Sequence, residues 1–129
     1  MIVVDTSALV AIVLAEPEAQ QFAELMRHQS VHVSAANVLE AAMVVESRQG
    51  PDATRDLEVL LAAYRAHVVP VDADLTWVAH RAWRRFGKGR HPASLNFGDC
   101  FSYALAKTQD APLLYKGVDF AQTDVRSAI

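Results

Sequence analysis

Four acids stand out by where they fall in the chain. Asp5 follows the apolar run Ile2-Val3-Val4, Glu40 lies in a helical pattern opened by Ser34, Asp99 stands three residues after Asn96, and Asp119 comes just past Pro112-Leu113-Leu114-Tyr115. If these carboxylates share a cleft they cannot all stay ionised unaided, because two like charges about 4 Å apart repel by roughly 4 kcal/mol at an effective dielectric of about 20. Either their pKa values rise or a cation sits among them. Oxygen ligands without cysteine or clustered histidine select Mg²⁺ or Mn²⁺ over zinc. Such ions activate water and stabilise the leaving oxygen of a phosphodiester. Each acid also has a plainer reading. Asp5, Thr6 or Ser7 can cap the helix that follows, Asn37-Val38-Leu39-Glu40 and Asn96-Phe97-Gly98-Asp99 resemble capping boxes, and Asp119 can stabilise a turn after Gly117. For Glu40 the capping reading is weaker, since Ser34 is the better helix start. The case for chemistry rests on joint placement.

That placement depends on the elements between the acids. Ile2-Val3-Val4 has no alternation, as expected of a strand buried on both faces, and Asp5-Thr6-Ser7 turns it into a helix over the apolar run Ala8 to Ala15. Glu16-Pro17-Glu18 opens a second helix with Ala19, Phe22, Ala23 and Met26 on its buried stripe. Val31 to Val33 reads as a strand, Ser34 as the cap of a helix to about Gln49, and Gly50-Pro51-Asp52 as a break before a further helix. Val68 to Val71 is a third strand. Asp72 or Asp74 caps the next helix, in which Leu75, Val78, Ala79, Ala82, Trp83 and Phe86 follow the 3.6-residue period until Gly87. After an exposed loop to Leu95, Asn96 caps a helix whose stripe is Phe97, Cys100, Phe101, Ala104 and Leu105, with Asp99 and Tyr103 on a different face. Pro112 to Tyr115 is a fourth strand, and the tail near Val125 offers a short edge strand. The alternation predicts an α/β fold of three layers, a central, mostly parallel sheet of four or five strands flanked by helices. All four acids then fall at the carboxyl edge of the sheet, where such folds bind ligands.

With 129 residues, the chain is expected to form a single domain over 1–129. A formal charge of −3 argues against a protein that coats nucleic acid by bulk charge. The one basic concentration is Arg84, Arg85, Lys88, Arg90 and His91, which with Lys116 are the candidates for gripping a phosphate backbone. A solvated helix end is the plainer reading of Arg84 and Arg85. A single cysteine, Cys100, suits a reducing compartment and falls on a core stripe. The Ala8 to Ala15 run is too short to span a bilayer, so the expected location is cytoplasmic, with no membrane partner.

Four blocks, Met1 to Leu9, Asn37 to Val44, Arg85 to Ala106 and Leu113 to Asp124, carry a resemblance that runs nearly end to end. The chain resembles the PIN-domain ribonucleases of the VapC type, toxins of bacterial type II toxin–antitoxin pairs. The resemblance implies that Asp5, Glu40, Asp99 and Asp119 are the metal-binding and catalytic acids, with Thr6 or Ser7 as the hydroxyl beside them. It implies RNA cleavage with Mg²⁺ or Mn²⁺, a homodimer, and silencing by a VapB-type antitoxin. Val118 departs from the family, where asparagine is frequent before the last aspartate. Other classes remain in view. A non-catalytic PIN-like module would bind RNA or protein without cutting. A phosphoacceptor receiver domain would use Asp72 with Lys116, but leaves Glu40 and Asp99 unexplained.

Overall fold

In the computed structural model, which describes residues 1–129, the apolar run Ile2–Val4 forms strand β1 at an interior position of a four-stranded sheet. The order is β3 (His67–Val69), β2 (Val31–Ser34), β1, β4 (Leu113–Leu114), and every pairing is parallel. Alternate residues of β1 feed two separate cores. Val3 packs with α5 (Ala73–Phe86) and α6 (Phe97–Thr108) on one face of the sheet. Ile2 and Val4 pack on the other face with α1 (Thr6–Val13), α2 (Ala19–Arg27), α3 (Ala35–Gln49) and α4 (Pro51–Ala63). This explains why the strand carries no polar alternation, and gives the three layers that the sequence predicts.

The caps fix where the helices begin. Asp5 accepts from Ser7 N at 2.9 Å, Ser34 from Asn37 N at 3.1 Å, Asp72 from Leu75 N at 2.8 Å and Asn96 from Asp99 N at 2.9 Å. Gly50, at φ 83°, takes the left-handed turn that lets Pro51 open α4. Because α1 and α3 start at the residue after their strand-end caps, their first turns stand directly over the carboxyl edge of the sheet.

The structure departs from the sequence expectations at several elements, among them the segment to Leu95, where Ala93 and Leu95 are buried, and Trp83, which is 41% exposed. Strand β3 ends at Val69, because Pro70 has no N–H for the ladder. Helix α2 starts at Ala19, past Pro17. The tail forms no edge strand; it meets β4 at one bridge, Leu113 to Ser127, with Leu113 N donating to Arg126 O at 2.8 Å. On α6 the single-stripe picture fails. Cys100 through Ala106 are all buried, Tyr103 among them with its ring 5.5 Å from that of Phe86 and its hydroxyl on Asp124, while Phe97 is 81% exposed. A helix covered on several sides has no one apolar face, and Phe97, as its first residue, projects beyond the packed layer.

Candidate active site

Asp5 is held more tightly than a cap requires. Its Oδ2 accepts from Ser7 N at 2.9 Å and from Ser7 Oγ at 2.6 Å, and its Oδ1 accepts from Ser102 Oγ at 2.5 Å. The residue is 2% exposed. Burial pushes its pKa up, and the hydroxyls of Ser102 and Ser7 oppose that rise. Asp99 sits in the first turn of α6, where Oδ2 accepts from Asn96 N at 3.0 Å to complete a capping box. Its pKa is pushed up to about 7, first by burial and then by the charge of Asp5, with smaller contributions from Glu40 and Asp119. All four acids therefore share one field.

Glu40 belongs to the second turn of α3 and is not a cap, since Ser34 fills that role. Its carboxylate lies directly against the backbone of α6: a Cβ on Gly98 would stand 2.3 Å from both Glu40 oxygens. Gly98→Ala should therefore leave the fold intact, since the obstructing atoms are the end of a flexible side chain and alanine favours a helix by about 1 kcal/mol over glycine. It should nonetheless drive Glu40 out of the cleft. The expected outcome is an unchanged or raised melting temperature with an activity loss of about tenfold or more, checked by thermal unfolding beside a cleavage assay. Asp119 is exposed at the head of the short 3₁₀ turn Phe120–Gln122, with no side-chain cap bond. It is the outlying member, felt by Asp99 through charge alone.

Asp5, Glu40 and Asp99, but not Asp119, line an open cleft of about 480 Å³ together with Thr6, Ser7, Glu16, Arg48 and Lys116. No three acids, histidines or cysteines stand close enough to enclose a metal as they are. The donor set still fits a hard divalent cation. It is all oxygen, Oδ1 of Asp5 keeps a lone pair beyond its bond from Ser102, and the acidic neighbours that push up the pKa of Asp99 exert a repulsion that a cation would relieve. Glu40, on a long side chain, can swing into such a shell.

The two hydroxyls next to Asp5 divide their work. Ser7 touches the carboxylate, while Thr6 faces Asn37, donating to its carbonyl at 3.2 Å and accepting from its Nδ2 at 3.1 Å. Asn37 also donates to Gly98 O at 3.0 Å and accepts from Ser34 Oγ at 2.5 Å, and it is wholly buried. One side chain thus ties together the starts of α1, α3 and α6, the helices that carry or adjoin Asp5, Glu40 and Asp99. The sequence reading overlooked Ser102 and Arg48, and took Asn37 only as a possible helix cap, a role that Ser34 fills.

The basic segment lies elsewhere. Arg90 donates to Arg84 O at 3.0 Å and stacks 4.8 Å over Trp83. Arg85 pairs with Asp124 at 3.4 Å, and His91 Nδ1 accepts from Ala93 N at 3.0 Å. Lys88 borders a separate apolar hollow with Trp83, Phe97 and Cys100. Of the predicted cations only Lys116 lines the acidic cleft, where its Nζ lies 3.0 Å from Glu16 and 3.3 Å from Glu18; Arg48 approaches Glu16 at 3.8 Å. Lys116 N also donates to Ser7 Oγ at 3.0 Å, which links the β4 exit to Asp5.

The PIN domain model matches residues 2–126. A protein named ribonuclease VapC from Mycolicibacterium smegmatis is 50% identical over 124 residues, spanning 95% of this chain and 96% of that protein. Ribonuclease VapC30 of Mycobacterium tuberculosis is 46% identical over 124 residues, spanning 95% of each. Among solved structures, M. tuberculosis VapC20, described as a sarcin–ricin loop cleaving toxin, superposes with a TM-score of 0.80 at 19% identity, covering 97% of this chain and 96% of its own. VapBC2 of Rickettsia felis, solved with a DNA fragment from its promoter, gives a TM-score of 0.75 at 14% identity, covering 98% of this chain and 96% of that one. These two likenesses speak to fold. The family model and the two relatives at 46% and 50% identity show the family: the chain belongs to the PIN-domain family, in its VapC branch.

Proposed function

We propose that the protein is the ribonuclease toxin of a VapBC-type pair and hydrolyses RNA phosphodiester bonds at the cleft between Asp5, Glu40, Asp99 and Asp119, with Mg²⁺ or Mn²⁺ as cofactor. The observation that carries the reading is the convergence of three acidic charges on Asp99, those of Asp5, Glu40 and Asp119, with Asp5 itself fixed through both of its carboxylate oxygens. Asp5 and Asp99 would hold the ion, with Glu40 and Asp119 in support. When bound, the ion supplies Lewis acidity for activating water and for stabilising charge on the leaving oxygen. The chain's own contribution is positional. Rigid Asp5 sets the reference point, Ser7 and Lys116 N brace it, and Arg48 and Lys116 offer cations to the flanking phosphates at the rim. Arg84, Arg85, Lys88, Arg90 and His91 serve at most more distant parts of the RNA.

A second copy of the chain would cover the apolar surface beside the cleft. Leu39 and Met43 are each 62% exposed, and with Phe97 and Phe101 they line a groove of about 390 Å³. No helix is long and apolar enough to cross a membrane. A VapB-type antitoxin would silence the enzyme by occupying the acidic cleft.

Proton and cation should compete at Asp99. Its pKa of about 7 means that below neutrality the ion must displace a proton. The half-saturating Mg²⁺ concentration for cleavage should therefore rise by up to about tenfold per pH unit on going from pH 7 to 6. The same shift has a defined sign for stability. Between its ordinary value of 3.8 and about 7 the folded chain holds a proton the unfolded chain does not, so metal-free stability falls as pH rises through that window. Discounted for partial exposure, this amounts to roughly 3–6 °C in melting temperature, measured in EDTA between pH 5 and 7.5 against Asp99→Asn, which cannot titrate.

The function itself is tested by sequencing RNA ends after incubating the protein with total RNA in Mg²⁺ and in EDTA. A nuclease leaves a defined, metal-dependent set of 5′-phosphate ends. Identical end profiles in both conditions would contradict the proposal and favour a module that binds without cutting.

A further inference from the structure

We propose that Ser102 is a positioning residue for the active site, holding the Asp5 carboxylate in the plane from which it meets the divalent ion; this rests on the metal-dependent reading above. From Cys100 to Ala106 every side chain of α6 is buried, and Ser102 is fully so. A hydroxyl in such a place costs free energy unless it is bonded, and its side chain makes one hydrogen bond, to Asp5 Oδ1 at 2.5 Å. Packing does not ask for serine here. Alanine would fill nearly the same space and suits a helix better.

The geometry explains what the hydroxyl adds. Ser7 grips only Oδ2, through its N–H and its Oγ, and belongs to the same stretch of chain as Asp5. A carboxylate held by one oxygen can turn about its last bond, because that torsion is broad. Ser102 reaches the other oxygen from a different element and stops the rotation. It also stands three residues after Asp99, so the two lie on adjoining positions of one helix face. The helix that carries Asp99 therefore carries the group that orients Asp5, and the separation of the two principal acids is set by one rigid body. Oδ2 already accepts two bonds from Ser7, whereas Oδ1 accepts one and keeps a second lone pair for an ion.

The test uses the full chain with Mn²⁺ alone as probe. Wild type, Ser102→Ala, Ser102→Thr and Asp5→Asn are compared by calorimetric or paramagnetic Mn²⁺ titration, by RNA cleavage and by thermal unfolding. Removing a group that orients a metal ligand typically weakens metal affinity by about 10–100-fold. Ser102→Ala should show that loss in Mn²⁺ affinity and a matching loss in cleavage while remaining folded at the assay temperature. Ser102→Thr, which keeps the hydroxyl, should recover most of both. A Ser102→Ala protein that binds Mn²⁺ as tightly as wild type overturns the proposal even if its melting temperature falls, because the hydroxyl would then serve stability alone. Failure of the functional reading looks different. In that case wild type shows no Mn²⁺ binding, or Asp5→Asn binds and cleaves as wild type does, and the role of Ser102 falls with it.

Discussion

Asp5→Asn and Asp99→Asn should each lose RNA cleavage by roughly 10²–10³-fold while remaining folded, since removing one group that stabilises developing charge in a preorganised site costs about that much. Both substitutions preserve the local scaffold. An amide oxygen at position 99 can still accept from Asn96 N, and one at position 5 can still accept from a serine hydroxyl. Stability should move in the opposite direction from activity. The carboxyl of Asp99 is raised to about 7 by burial and by its acidic neighbours, so at pH 7.5 without metal its ionised form is a cost that asparagine removes. Asp99→Asn should therefore melt at or above the wild-type temperature in EDTA, and divalent ions should stabilise wild type more than the variant. Parallel loss of stability and activity would mean that the acid is structural.

Asn37→Ala should produce the largest loss of stability. The substitution leaves Thr6 Oγ1 and Gly98 O without their donor and Ser34 Oγ without its acceptor, at a junction that is almost fully buried. Each lost bond is worth about 1 kcal/mol, and each stranded polar group adds a comparable penalty. The sum is roughly 3–5 kcal/mol, a large share of the 5–15 kcal/mol or so that holds a typical domain together. Thermal unfolding should show a drop of roughly 10 °C or more, and cleavage should fail even where the fold survives, because the starts of α1, α3 and α6 are no longer joined. A shift within about 2 °C would show that water replaces the amide at little cost.

How much of this was legible beforehand depends on the range of the interaction. Strand β1 could be read because burial on both faces removes alternation, and Asp5 could be placed because Thr6 and Ser7 announce a helix start. The caps Ser34, Asp72 and Asn96 were legible for the same reason: their chemistry lies within three residues of the backbone they serve. Asp99 proved to be both a cap and a member of the acidic cluster, so the plainer reading and the functional one were not alternatives. Ser102 was overlooked because a lone polar residue in a helical pattern looks like surface until another element is seen to cover it, and Asn37, read as a possible cap, gave no sign that its side chain reaches Thr6 and Gly98. The contact of Glu40 with Gly98 is likewise invisible in one dimension, although a glycine two residues after the Asn96 cap is a signal of close approach. The basic loop was legible as a concentration of charge, but its surroundings were not: Arg85 meets Phe86 and Asp124, and Arg90 meets Trp83 and the Arg84 carbonyl, whereas Arg48 reaches the cleft from α3, where Glu40, Val44 and Arg48 recur every four residues along one side.

The central claim is that one divalent ion site is built on Asp5 and Asp99. Crystals soaked in Mn²⁺ and measured at its absorption edge test it most directly. The expected result is an anomalous peak within about 2–2.5 Å of an oxygen of each acid, with Glu40 turned toward it, and no peak at that position in Asp5→Asn. A peak that persists in Asp5→Asn, or saturating Mn²⁺ that settles elsewhere while cleavage remains Mn²⁺-dependent, would contradict the account.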